Sequence, residues 1–215
     1  MRVTKVRGAL MALLLAAGVG GALHGCATSS GDADEKTAAR AATVLKASFA
    51  ARGQAGLDRL DQDETQKLCS EYANRSLPAP VAEKIQQANL ATIRFPADGN
   101  LVGDWKSGEK IAQSGQGLQF SDDPKNPAGA NCYACHQLTP QELSYGTIGP
   151  SLYRFGKLRG FNDATRKYAW GKVYNADAFA ACSNMPRFGH NRILTEQQIR
   201  DIVALLVDPA SPVNQ

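Results

Sequence analysis

The chain of 215 residues reads as an all-α protein on three observations. Apolar residues recur at helical spacing, most clearly at Ile199, Ile202, Val203, Leu205 and Leu206. Strand-like alternation of β-branched and aromatic residues is scarce. Gly and Pro fall between short Ala-rich segments, where they punctuate helices. With 43% hydrophobic and 20% charged residues, the composition suits a globular chain with material for one core and some extra.

The first 25 residues read as an address. Arg2, Lys5 and Arg7 form a basic start, and Ala9 to Leu23 is an uncharged apolar run too short and Gly-rich to span a bilayer. This secretory signal predicts export to the periplasm, an oxidising compartment. Without its three basic residues the chain keeps 21 basic against 20 acidic residues, a net charge of about +1, which gives no case for nucleic acid or an acidic surface. Leu23-His24-Gly25-Cys26 is similar to a bacterial lipobox, although His24 is an unusual occupant. Cys26 is therefore a candidate lipidation site and membrane tether, with ordinary cleavage near Ala27 as the alternative.

Residues 27–34 are small and polar and read as a tether. Glu35 to Arg52 predicts an amphipathic helix with Ala41, Val44, Leu45 and Phe49 on one face, interrupted by Ser48. Asp63 to Tyr72 predicts a second, weaker helix carrying Cys69. Pro78 and Pro80 break the chain, and Pro80 suits the first turn of a helix reaching about Ile93. Residues 35–95 thus form an N-terminal helical extension, either scaffold or partner surface. In residues 96–215, Gly103 to Ala112 opens a helix and a polar loop, Ser114 to Asn131, follows. Gly146 to Leu152 is a turn-rich strip, and Asn162 to about Val173 is helical. The last helix is the best specified: Thr195 as N-cap, Gln198 completing a capping box, Leu194 and Ile199 as hydrophobic staple, and Pro209 as terminator.

Cys132-Tyr133-Ala134-Cys135-His136 fits the C-x-x-C-H pattern for covalent haem c attachment. Two thiols about one helical turn apart can reach the vinyl groups on one edge of the porphyrin, and the next imidazole can bond the iron from the proximal face. A redox dithiol would need a βαβ context, and zinc would need two more ligands at plausible spacing; neither is present. The sixth iron position takes a Met or a second His. The signal removes Met1, Met11 and His24, which leaves Met185, flanked by Ser, Asn, Pro and Arg, and the runner-up His190. With His136 and Met185 both on iron, small molecules have no free site, so the expected chemistry is electron transfer. Arg159, Trp170 and Arg187 are the candidate partners of the haem propionates. Cysteine parity leaves Cys69 and Cys182, which predict a disulfide clamping the extension onto the Met185 loop; Cys69 pairing with another subunit is the alternative.

The haem segment resembles class I cytochromes c: a short helix, C-x-x-C-H, a Gly-Pro-x-Leu strip, a Met loop and a closing helix. That resemblance implies that the Pro150 carbonyl accepts a hydrogen bond from His136 and orients it. From about Cys69 to Asn214 the chain also resembles the SoxX family, the monohaem subunits of SoxAX sulfur-oxidation complexes. Gly103-Asp104-Trp105-Lys106, Gly146-Thr147-Ile148-Gly149-Pro150-Ser151-Leu152, Met185-Pro186-Arg187-Phe188-Gly189 and the tail Asp208 to Asn214 carry it, with the haem motif. The resemblance implies a heterodimer with a SoxA subunit that joins thiosulfate oxidatively to a cysteine of the SoxYZ carrier, an L-cysteine S-thiosulfotransferase. This chain would supply its electron-transfer haem, not its catalysis, and pass electrons to a soluble cytochrome c. The rivals are a free-standing, lipid-anchored electron shuttle, which a near-neutral charge supports little, and a haem sensor with a displaceable ligand.

Overall fold

The computed structural model describes residues 30–215, with side-chain surroundings from Glu35 onward. The expected signal segment, Cys26 and residues 27–29 lie outside the described residues. Seven α-helices are formed there: α1 (Ser30–Ser48), α2 (Glu64–Glu71), α3 (Ala79–Leu90), α4 (Trp105–Gln113), α5 (Phe155–Arg159), α6 (Asp163–Tyr174) and α7 (Glu196–Val207). Among the described residues there is no strand, only an isolated bridge between Arg52 and Ala55. The protein is all-α. No helix among the described residues is long and apolar enough to cross a membrane.

The chain divides into two units, Met1–Val44 and Leu45–Gln215. Helix α1 begins at Ser30, so residues 30–34, expected as tether, are its first turn. Extending an existing helix adds one hydrogen bond per residue fixed, and the Ala-rich run downstream provides the nucleus. The same helix ends at Ser48, short of the expected Arg52. Val44, Leu45 and Phe49, which share the expected apolar face, are exposed. Burying a stripe padded with alanines returns little transfer free energy, because that energy follows apolar area.

In the second unit each helix start is explained locally. Asp63 caps α2 and forms a reciprocal box with Gln66, with Gln66 N donating to Asp63 Oδ1 at 2.8 Å and Asp63 N to Gln66 Oε1 at 2.9 Å. Pro80 lies in the first turn of α3, Asp104 caps α4 and Asn162 caps α6. Thr195 and Gln198 form the box expected at α7, with Leu194 and Ile199 both in the core.

The core is centred on α7, which buries Ile199 and then every residue from Asp201 to Val207. Its most extensive partner is α4, and α5 and α6 pack on it as well. The α4–α7 crossing is close enough to demand a glycine: a Cβ on Gly108 would lie 2.1 Å from the Asp201 carbonyl oxygen. In an isolated helix Gly→Ala gains about 1 kcal/mol. Here the clash is with backbone, and overpacking of that kind costs roughly 1–3 kcal/mol or more. Gly108→Val is therefore expected to lower stability by about 3 kcal/mol. The denaturant midpoint measures it, and a variant as stable as the parent would show that the helices are free to separate.

The boundary expected near residue 95 is not an edge of packing. Asn175, fully buried, donates from Nδ2 to Asn89 Oδ1 and to Thr92 Oγ1, each at 2.9 Å, and Trp170 Nε1 donates to Arg94 O at 2.8 Å. Buried amides are costly unless paired, so these bonds join α3 specifically to the segment around α6. At the other end Asn214, also fully buried, closes α7 and opens α5. Its Nδ2 donates to Leu206 O and Asp208 O, and its Oδ1 accepts from Gly156 N and Lys157 N.

Candidate functional site

The Cys132–His136 segment is presented by α4 and by the loop that follows it. Ala130 N donates to Ile111 O and Asn131 N to Ser114 O, each at 3.0 Å, which folds the loop's end back on the helix. Asn131 then takes a left-handed backbone (φ 47°), which Asn tolerates better than most residues, and a 3-10 turn runs Cys132–Ala134. His136 N closes the turn on Cys132 O at 2.9 Å, so both thiols and the imidazole leave one tight coil.

The Gly146–Leu152 strip is threaded against this coil. Gly146 N donates to Tyr133 O, Gly149 N to Cys135 O and Leu152 N to Gln137 O, at 2.9, 2.9 and 2.7 Å. A Cβ on Gly149 would lie 2.1 Å from His136 Cε1, so only glycine lets the ring lie over the strip. His136 Nδ1 sits 2.7 Å from Pro150 O. A carbonyl only accepts, so Nδ1 is the donor in this contact, and in the neutral ring the lone pair is then on Nε2.

Two adjoining cavities, about 410 Å³ and 450 Å³, open beside the coil. Both are lined by Cys132, His136, Pro150, Lys172 and Met185. Cys135 lines the first, whereas Leu138, Phe155, Val173 and Leu205 give the second an apolar wall. Cys132 and Cys135 are free thiols. Burial pushes the Cys132 thiol up to about 12, the reverse of what a redox dithiol needs. Among the described residues no group of three or more His, Cys, Asp or Glu side chains is placed to hold a metal ion. The donors that do converge fit a c-type haem: two thiols one turn apart, an imidazole whose Nδ1 is engaged with Pro150 O, a thioether and apolar walls.

The Met185 loop is tied to α2. Cys69 and Cys182 form a disulfide with Cα atoms 5.4 Å apart. Arg187 Nη2 meets Asp63 Oδ2 at 2.6 Å, and Arg187 Nε lies 3.6 Å from Asp177 Oδ2. Burial alone would push the Asp63 carboxyl up, but the Gln66 amide and the Arg187 guanidinium outweigh it and hold it below the usual carboxylate value. His190, the runner-up ligand, lines neither cavity; burial and then Arg187 push its pKa down. Of the candidate propionate partners only Arg159 lines a cavity, with its guanidinium over Phe155 and Tyr168. Trp170 is engaged with Arg94 O, and Arg187 with Asp63 and Asp177, so both are corrected to structural roles.

Lys172 was absent from the expected set. It lines both cavities, donates to Ala176 O at 3.3 Å, and burial lowers its pKa. Helical spacing carries the signal, since Tyr168, Ala169, Lys172 and Val173 share one face of α6 and all line the second cavity.

No family model matches the chain. An "uncharacterized lipoprotein" of Aquifex aeolicus (strain VF5) is 40% identical over 159 residues, which are 72% of this chain and 73% of the relative. The chain belongs to the same family as that Aquifex lipoprotein.

Proposed function

We propose that this protein is a class I monohaem cytochrome c, lipid-tethered at Cys26, that serves as the SoxX-type electron-transfer subunit of a thiosulfate-oxidising SoxAX enzyme. The observation that carries the reading is the 2.7 Å contact between His136 Nδ1 and Pro150 O, which leaves Nε2 free in a crevice shared with Cys132, Cys135 and Met185. When bound, the haem supplies a one-electron ferric–ferrous couple. Cys132 and Cys135 would hold it through thioether links, Pro150 would fix the tautomer of His136 and raise its basicity, and His136 and Met185 would bind its iron. Leu138, Phe155 and Leu205 give the second lobe an apolar wall. The lipid tether is supported by the lipobox-like Cys26 and by the relative's description as a lipoprotein.

Joining thiosulfate to a carrier cysteine forms one S–S bond, releases the thiol proton and yields two electrons. A single iron accepts one of them, so this subunit is a relay beside a SoxA haem and is not catalytic alone. SoxYZ brings the cysteine, and a soluble cytochrome c takes the electrons. The decisive experiment purifies the native complex from the periplasm and adds thiosulfate with SoxYZ. The expected result is a coloured, haem-bearing protein whose ferric form is reduced only when both are present. A colourless mature chain sinks the proposal, and so does reduction that ignores the carrier.

The alternative reading is a tethered shuttle that works without SoxA. Co-purification separates the two: a lone monomer that exchanges electrons with an oxidase supports the shuttle.

A further inference from the structure

Met185 lies in the middle of a span, Ser183 to Arg187, whose two ends converge on one carboxylate. Asp177 Oδ1 accepts from Ser183 N at 2.8 Å, and Asp177 Oδ2 faces Arg187 Nε at 3.6 Å. Ser183 in turn accepts from Met185 N through Oγ at 3.2 Å. The Asp177 side chain is 8% exposed and so is that of Arg187. The carboxylate is itself fixed from behind: its backbone N donates to Asn175 Oδ1 at 3.2 Å, and Asn175 is bonded across the core to Asn89. Asp177 lines neither cavity, so it touches nothing that would bind in the crevice.

A buried carboxylate is tolerated best while its partners stay in place. Its direct contacts are the two ends of the Met185 loop, with the Lys172 ammonium as a further opposite charge, so a conformer that swings the loop outward removes both direct contacts from a buried carboxylate. We infer that Asp177 is a positioning residue that braces both ends of this loop and holds the Met185 thioether in the crevice. The inference rests on the reading of Met185 as an iron ligand. A carboxylate that merely stabilised the fold would alter melting without altering what the iron binds.

The test uses the holoprotein with the Cys69–Cys182 disulfide intact and compares Asp177→Ala, Asp177→Asn and Met185→Ala. Two quantities are read: the far-red charge-transfer band of the ferric protein, and the Kd for added imidazole, which competes for the distal position. Asp177→Ala is expected to weaken the band and to bind imidazole about 10-fold more tightly, the lower end of what loss of a supporting contact does at a metal site. Asp177→Asn keeps an acceptor for Ser183 N and loses only the charge facing Arg187, so an intermediate affinity is expected. If Asp177→Ala fails to fold, Asp177→Asn decides alone, and a parental Kd for it overturns the inference. A parental band and Kd in a folded Asp177→Ala, with the band lost in Met185→Ala, overturns the positioning role and leaves the ligand reading intact. A band that survives Met185→Ala removes both.

Discussion

Replacing Met185 with Ala is expected to abolish the far-red band of the ferric protein and to let carbon monoxide bind the ferrous form. The thioether is the donor that lines both lobes of the crevice, whereas the spare imidazole of His190 lines neither. Removing a soft sulfur ligand destabilises the ferrous state more than the ferric one. The potential should therefore fall by on the order of a tenth of a volt or more, within the ~0.8 V that axial ligation spans. The fold should survive, because the loop keeps its disulfide and its Arg187 contacts. A redox titration and a carbon monoxide difference spectrum check both points. An unchanged ferric spectrum would falsify the assignment of Met185.

Removing the disulfide by Cys69→Ser together with Cys182→Ser is expected to cost roughly 4 kcal/mol. The bond joins positions 113 residues apart, so its loss frees a large loop in the unfolded chain. Against a total stability of about 5–15 kcal/mol that is a large fraction. The contact between Arg187 and Asp63 offsets little of it, since the Asp63 side chain is 41% exposed. Urea unfolding of the oxidised protein and the double variant measures the difference. A loss below about 1 kcal/mol would mean that α2 is held mainly by packing.

What could be read in advance was chemistry carried by short stretches or by counting. The α7 start was legible because Thr195, Gln198 and the stripe from Ile199 are local features. The Cys69–Cys182 pair was legible because two cysteines remained once the C-x-x-C-H motif and Cys26 were set aside. Features that exist only through tertiary contact were not. Arg187 looked available for an acidic ligand group until Asp63, 124 residues away, proved to hold it. Helix α5 is too short for periodicity to reveal and starts after Arg154 in a left-handed conformation (φ 59°), stabilised by Asn214 from the far end of the unit. No local pattern singles out Asn89 and Asn175, yet both are buried and pair across 86 residues. The α2 capping box, Asp63 with Gln66, is written in the sequence, but no strong apolar stripe follows to announce it. The α1 stripe states which residues share a side and leaves open whether they serve as scaffold or as partner surface.

The span between Cys69 and Cys182 encloses both thiols of the C-x-x-C-H segment. On the proposed reading the chain matures in an oxidising compartment, where these four sulfurs are available to one another, and only one of their possible pairings leaves Cys132 and Cys135 open for a haem. The order of events then matters: early capture of the inner pair by haem removes the competing cross-links, while premature oxidation among the four would strand the chain in a scrambled, colourless form. Yield in a heterologous host should consequently follow the supply of haem-attachment factors relative to thiol oxidants.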